Sequence, residues 1–136
     1  MPQISGLHHV SLPVTDALRS SDWFERVFGF RCVLIREEED QVTMVTLEHP
    51  CGAVLYLHEA PELVEAWRLA RTGTAVLGLA VADEPALTAW RARLDELGVE
   101  HTPQRLAHLG VALDVIGPDG LGIQLHTREE LSGDGP

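Results

Sequence analysis

The sequence has 136 residues, of which 45% are hydrophobic, and a net charge of −11. That length suits one domain with its own core, and so apolar a chain folds rather than staying disordered. The acidity argues against nucleic acid and anionic membranes as partners, and no apolar run reaches the roughly 20 residues of a membrane span.

The start, Met1-Pro2-Gln3-Ile4, lacks the basic and long apolar stretches of a signal peptide, so a cytoplasmic protein is expected. Cys32 and Cys51 are the only cysteines and have no metal-ligand spacing; they are expected to be buried, reduced thiols. Every basic residue is arginine, and lysine and asparagine are absent, which points to a GC-rich bacterial genome.

In chain order, residues 9–14 alternate as a strand, with Val10, Leu12 and Val14 on one face. Asp16 is placed to cap a helix from Ala17 to Phe28, with Phe24, Val27 and Phe28 on its apolar side and Gly29 as its stop. Strands are expected at residues 31–36 and 42–47, joined by Glu37-Glu38-Glu39-Asp40 as a solvated hairpin tip. Pro50-Cys51-Gly52 forms a turn into a strand ending Leu57-His58. Residues 60–73 read as a linker with a short helix carrying Trp67.

The pattern then recurs. Val10, Leu12, Val14 and Asp16 match Leu77, Leu79, Val81 and Asp83 at a shift of 67. Asp83 caps a second helix, about 85–97, whose buried stripe is Leu87, Trp90, Leu94 and Leu97. Trp23 and Trp90 correspond and are expected in the core. Strands follow at about 99–103 and 111–117. Pro118-Asp119-Gly120 then opens a strand ending Leu125-His126, the counterpart of 50–58 at a shift of 68.

The fold class is therefore α+β: two tandem βαβββ modules whose curved mixed sheets surround a shared cavity. The chain is expected to be a single domain, with module one at 6–59, the linker at 60–73, module two at 74–127 and a disordered tail at 128–136.

Strand side chains alternate between faces. If Leu12, Leu55, Leu57, Ile123 and Leu125 pack on the helices, then His9, Ser11, Tyr56, His58, Gln124 and His126 share the other face. A few polar groups among apolar walls is the usual make-up of a small-molecule site. Those six residues are the expected ligand contacts, and Tyr56 and His58 the expected catalytic pair if there is turnover.

The run from Leu7-His8-His9-Val10 through Asp16 to Trp23-Phe24 and Phe28-Gly29-Phe30, with the closing Gly117-Pro118-Asp119-Gly120 to Leu125, resembles the vicinal oxygen chelate superfamily. That superfamily includes glyoxalase I, bleomycin-resistance proteins and extradiol dioxygenases, and the resemblance spans about residues 6–127. It implies metal ligands at the first and fourth strands of each module, which here fall on His9, Tyr56, Val76 and Gln124. Only His9 is a strong donor, and divalent catalytic sites need about three good protein ligands. No metal or other cofactor is therefore expected, and a divalent ion stands only as the lesser alternative.

Two functions fit. The first is a binder that holds a small organic molecule, with the usual metal site largely lost. The second is a metal-independent isomerase, cyclase or lyase using Tyr56, His58 or His9. A metal-dependent glyoxalase or dioxygenase comes third. The resemblance also implies a homodimer. No nucleotide-binding glycine loop and no nucleophile elbow is present.

Overall fold

The computed structural model describes residues 1–70, 75–107 and 109–128. Residues 71–73 of the expected linker and 129–136 of the expected tail lie outside the described residues. Contacts divide the chain into two units, residues 1–70 and 71–136, each with a four-stranded mixed sheet.

In the first unit, β1 (Val10–Val14) leads into α1 (Ala17–Phe28), followed by β2 (Arg31–Glu38), β3 (Gln41–Glu48), β4 (Val54–Glu59) and α2 (Pro61–Ala70). The sheet order is β1-β4-β3-β2, with β1 parallel to β4 and the other pairs antiparallel. α1 starts at Asp16, whose carboxylate accepts from the Arg19 N–H at 3.0 Å, and satisfies one of the free donors of a helix start. Glu59 at the end of β4 accepts from the Ala17 N–H at 2.9 Å, tying the last strand to the same turn. α1 stops at Gly29, whose φ of 80° is a left-handed conformation cheap only for glycine. Phe24, Val27 and Phe28 bury the helix face against β3 and β4. Trp23 is half-buried and meets Phe24 and Phe28 edge-on, at 5.1 and 5.6 Å between ring centres.

The second unit repeats this plan: β5 (Leu77–Val81), α3 (Glu84–Glu96), β6 (Arg105–Ala107), β7 (Gly110–Ile116) and β8 (Gly122–Thr127), in the order β5-β8-β7-β6. Asp83 caps α3 by accepting from the Ala86 N–H at 2.9 Å. Leu87 and Leu94 are fully buried, while Trp90 and Leu97 are half-buried. Gly122 opens β8 where Ala75 runs alongside; a Cβ there would lie 3.1 Å from the Ala75 Cα, so only glycine fits without movement.

Three expectations are corrected. The strand placed at 99–103 begins only at Arg105. His101 makes a lone bridge to Val115, and Pro103 has no N–H to give a ladder. Thr102 instead brackets Asp114: its N–H donates to the Asp114 carbonyl at 2.8 Å, and its hydroxyl accepts from the Asp114 N–H at 2.9 Å. The acidic tip is shorter than expected, since Glu37 and Glu38 stay in β2 and only Glu39 and Asp40 turn, both at positive φ. The thiols are not buried: Cys32 is half-exposed near the start of edge strand β2, and Cys51 is exposed in the β3–β4 turn. α2, read as part of a linker, packs on β1 of the first unit, with Trp67 36% exposed.

Candidate functional site

Burial reproduces the alternation read from the strands. Leu12, Val14, Leu55, Leu57, Ile123 and Leu125 are at most 1% exposed. Their neighbours Tyr56, His58, Gln124 and His126 are half-buried, and Ser11 is exposed. Each sheet thus has one face sealed by its helices and an opposite, half-open face carrying the polar set, on which Met44, Thr46 and Ala112 are nonetheless buried.

The pairing sets these residues in rows. In the first module Ser11 lies beside Tyr56, which lies beside Thr46. One step along, Pro13, His58 and Met44 form the next row. His9, just before β1, stacks on Tyr56, with 3.9 Å between ring centres and 14° between planes. His58 stands 6.4 Å from Tyr56, ring to ring. Nδ1 of His8 lies 2.9 Å from Nδ1 of His9, so one imidazole donates to the other and Nε2 of His9 is left free of that bond. Sequence reasoning had not singled out His8 or the buried Thr46. His9, Ser11, Tyr56 and His58 therefore come together as one group.

In the second module the matching rows are Gly78, Gln124 and Asp114, then Ala80, His126 and Ala112. Gln124 Nε2 donates to Asp114 Oδ1 at 3.5 Å, and Arg105 reaches the same oxygen at 3.1 Å. His126 Nδ1 donates to the Thr127 carbonyl at 2.6 Å, which leaves Nε2 to accept in the neutral ring. Asp114 and Arg105 were missed, although Asp114 alternates with Leu113 and Val115 in a strand whose helix-facing residues are apolar. An acid in that pattern is a signal for the open face.

The residues at the four metal positions do not fit a divalent metal. They are an imidazole, a phenol, an aliphatic side chain and a neutral amide, and Val76, half-buried just before β5, has no donor atom on its side chain. Among the described residues no group of three or more His, Cys, Asp or Glu is placed to hold a metal ion.

Two further histidines have structural roles. His49 accepts from the Cys51 N–H at 3.0 Å through Nδ1 and donates from Nε2 to the Phe28 carbonyl at 3.0 Å, locking the β3–β4 turn to the end of α1. His101 holds Asp95 at 2.7 Å through Nε2 and the Thr102 carbonyl at 2.8 Å through Nδ1. Acceptors at both nitrogens favour the doubly protonated ring. The Thr102 carbonyl contributes most and Asp95 next in raising its pKa, against burial and Arg91.

Comparison with known proteins agrees with this architecture. The family model for the glyoxalase/bleomycin resistance protein/dioxygenase superfamily matches residues 6–125, and the chain belongs to that superfamily. A putative ring-cleaving dioxygenase, MhqA of Bacillus subtilis, is 27% identical over 135 residues; this covers 95% of the present chain, which spans 40% of that protein. A glyoxylase/bleomycin resistance protein/dioxygenase domain from Frankia sp. EAN1pec superposes with a TM-score of 0.72 at 21% identity, covering 96% of each chain. TnmS3, an antibiotic-binding protein from Streptomyces sp. CB03234, gives 0.71 at 21% identity, with 95% and 100% covered. The genomically encoded fosfomycin resistance protein FosX from Listeria monocytogenes gives 0.73 at 19% identity, with 94% of this chain and 97% of that one covered. At these identities the structures share the fold. No helix among the described residues is long and apolar enough to cross a membrane.

Proposed function

We propose that this protein binds a small organic molecule on the open faces of its sheets without a catalytic metal. The observation that carries this reading is the His9–Tyr56 stack, 3.9 Å between ring centres, with Ser11 and His58 beside it. Two flat rings already held together offer a rigid surface to an organic ligand at little entropic cost. Half-buried polar groups around them supply orientation. TnmS3, which shares this fold, is an antibiotic-binding protein, and the chain's acidity favours a cationic ligand.

A second reading has its own observation. Tyr56 has His9 stacked on its ring and His58 edge-on 6.4 Å away, so a phenol has two imidazoles as neighbours. That group could move a proton on a bound substrate in isomerase, cyclase or lyase chemistry. Tyr56→Phe separates the two readings. Unchanged affinity with lost turnover supports catalysis, and weakened binding with no turnover in either form supports sequestration. A compound screen followed by amide chemical shifts checks the site itself: binders should move Ser11, Tyr56 and His58, and a screen whose binders leave them unmoved contradicts it.

A homodimer and a cytoplasmic setting complete the reading. β2 is an edge strand with Val33, Leu34 and Ile35 between 40% and 54% exposed, an apolar stretch a second copy could cover. Leu34→Lys should shift a dimer to monomer in sedimentation equilibrium, and a dimer untouched by it places the interface elsewhere.

A further inference from the structure

Asp114 and Gln124 stand side by side on the open face of the second module, and their oxygens are unequally used. Oδ1 of Asp114 takes both side-chain contacts, Arg105 at 3.1 Å and the Gln124 amide nitrogen at 3.5 Å. Nothing among the described residues donates to Oδ2 of Asp114 or to Oε1 of Gln124. The Asp114 side chain is 23% exposed and Gln124 is half-buried, so both acceptors are partly withdrawn from water. Acceptors so placed are free to take a hydrogen bond from a ligand in exchange for one from water.

The backbone makes the pair rigid. Asp114 is bracketed by Thr102 through two hydrogen bonds, 2.8 and 2.9 Å, and Gln124 sits in the central strand of the three it joins. Because Asp114 holds the nitrogen of the Gln124 amide, the amide oxygen is turned away from the carboxylate. Gly78, on the other side of Gln124, has no side chain to cover it, and a Cβ built there would meet nothing within 4 Å.

We propose that Asp114 Oδ2 and Gln124 Oε1 form an acceptor pair that binds an N–H-bearing group, a primary amide or amidine, of the ligand. This rests on the reading that the open faces bind a small organic molecule, and it names the chemistry recognised in the second module. Arg105 is a positioning residue: it anchors one carboxylate oxygen and so aims the other. Its side chain is 44% exposed and its guanidinium is already paired, which disfavours it as an anion receptor.

The test uses benzamidine, benzamide and benzoate, which share a ring and differ in the group offered. Titrations of the ¹⁵N-labelled full chain are followed by amide shifts. Benzamidine and benzamide should move Asp114 and the Gln124 side-chain amide, and benzoate should not. Asp114→Asn keeps the shape but offers donors, and should weaken benzamidine about tenfold or more, as expected for a hydrogen bond to a charged group. Arg105→Ala should weaken it less and leave benzoate unbound.

Benzoate binding as well as benzamidine, or binding that Arg105→Ala abolishes while Asp114→Asn spares it, overturns the proposal in favour of an anion site. Shifts at Tyr56 and His58 with none at Asp114 and Gln124 overturn it while the binding function stands. Shifts at neither place also overturn it, and the binding function is then decided by the compound screen.

Discussion

Leu55 and Leu57 in the first module correspond to Ile123 and Leu125 in the second, and all four are buried to within 1%. The residues between and beside them diverge: Tyr56 corresponds to Gln124, Thr46 to Asp114 and Met44 to Ala112, and only His58 and His126 agree. The helix-facing side has to fill one shape twice and tolerates only volume-conserving change. The opposite side is only half-buried at Tyr56, His58, Gln124 and His126 and is less bound by that requirement; the two modules carry different groups there, stacked rings in one and a carboxylate, guanidinium and amide in the other.

If packing is the shared half, truncating equivalent core positions should cost alike. Leu57→Ala and Leu125→Ala should each lose about 2–5 kcal/mol in chemical denaturation. A value far smaller at one of them would break the comparison. The start of the fourth strand sharpens it, because Val54 occupies the place that Gly122 has in the second module. Gly122→Val should cost about 1–3 kcal/mol by overpacking against Ala75, whereas Val54→Ala, at a half-buried position, should cost less. Removing the matched caps, Asp16→Ala and Asp83→Ala, should cost about 1 kcal/mol each, with similar shifts in thermal midpoint.

The smallest expected effect is confined to the second module. The pKa of His101 is raised when folded, so protonation favours the native state. Its contribution is fully present below the unfolded value of about 6.5 and fades as pH rises through the folded value. His101→Gln should flatten that part of the profile of midpoint against pH. An unaltered profile would mean the Asp95–His101 contact is solvent-screened, as the exposure of Asp95 allows.

Much of this was legible because the signals were local. Alternation marked β1, β4, β5 and β8; Asp16, Asp83 and Gly29 marked helix ends; and the internal shift exposed the repeat. β6 was misplaced because its apolar content is low and Pro103 breaks the ladder, so tertiary pairing of Thr102 with Asp114 decides where the strand starts. The open face was readable as a face but not as a set of contacts. Alternation says that His9 and Tyr56 point the same way, whereas their stacking depends on the parallel register of β1 with β4. Asp114 and Arg105 went unweighed because they belong to the third and second strands of their module, away from the positions the family resemblance marks.

The central claim, an organic-molecule site that works without metal, is tested most directly by metal content. Protein purified without chelator should be measured by mass spectrometry, then again after exposure to zinc, nickel, manganese and ferrous iron. The donor set predicts less than about a tenth of a metal ion per chain throughout. Near-stoichiometric metal that disappears in His9→Ala would contradict the account and place the protein among the metal-dependent members of its superfamily.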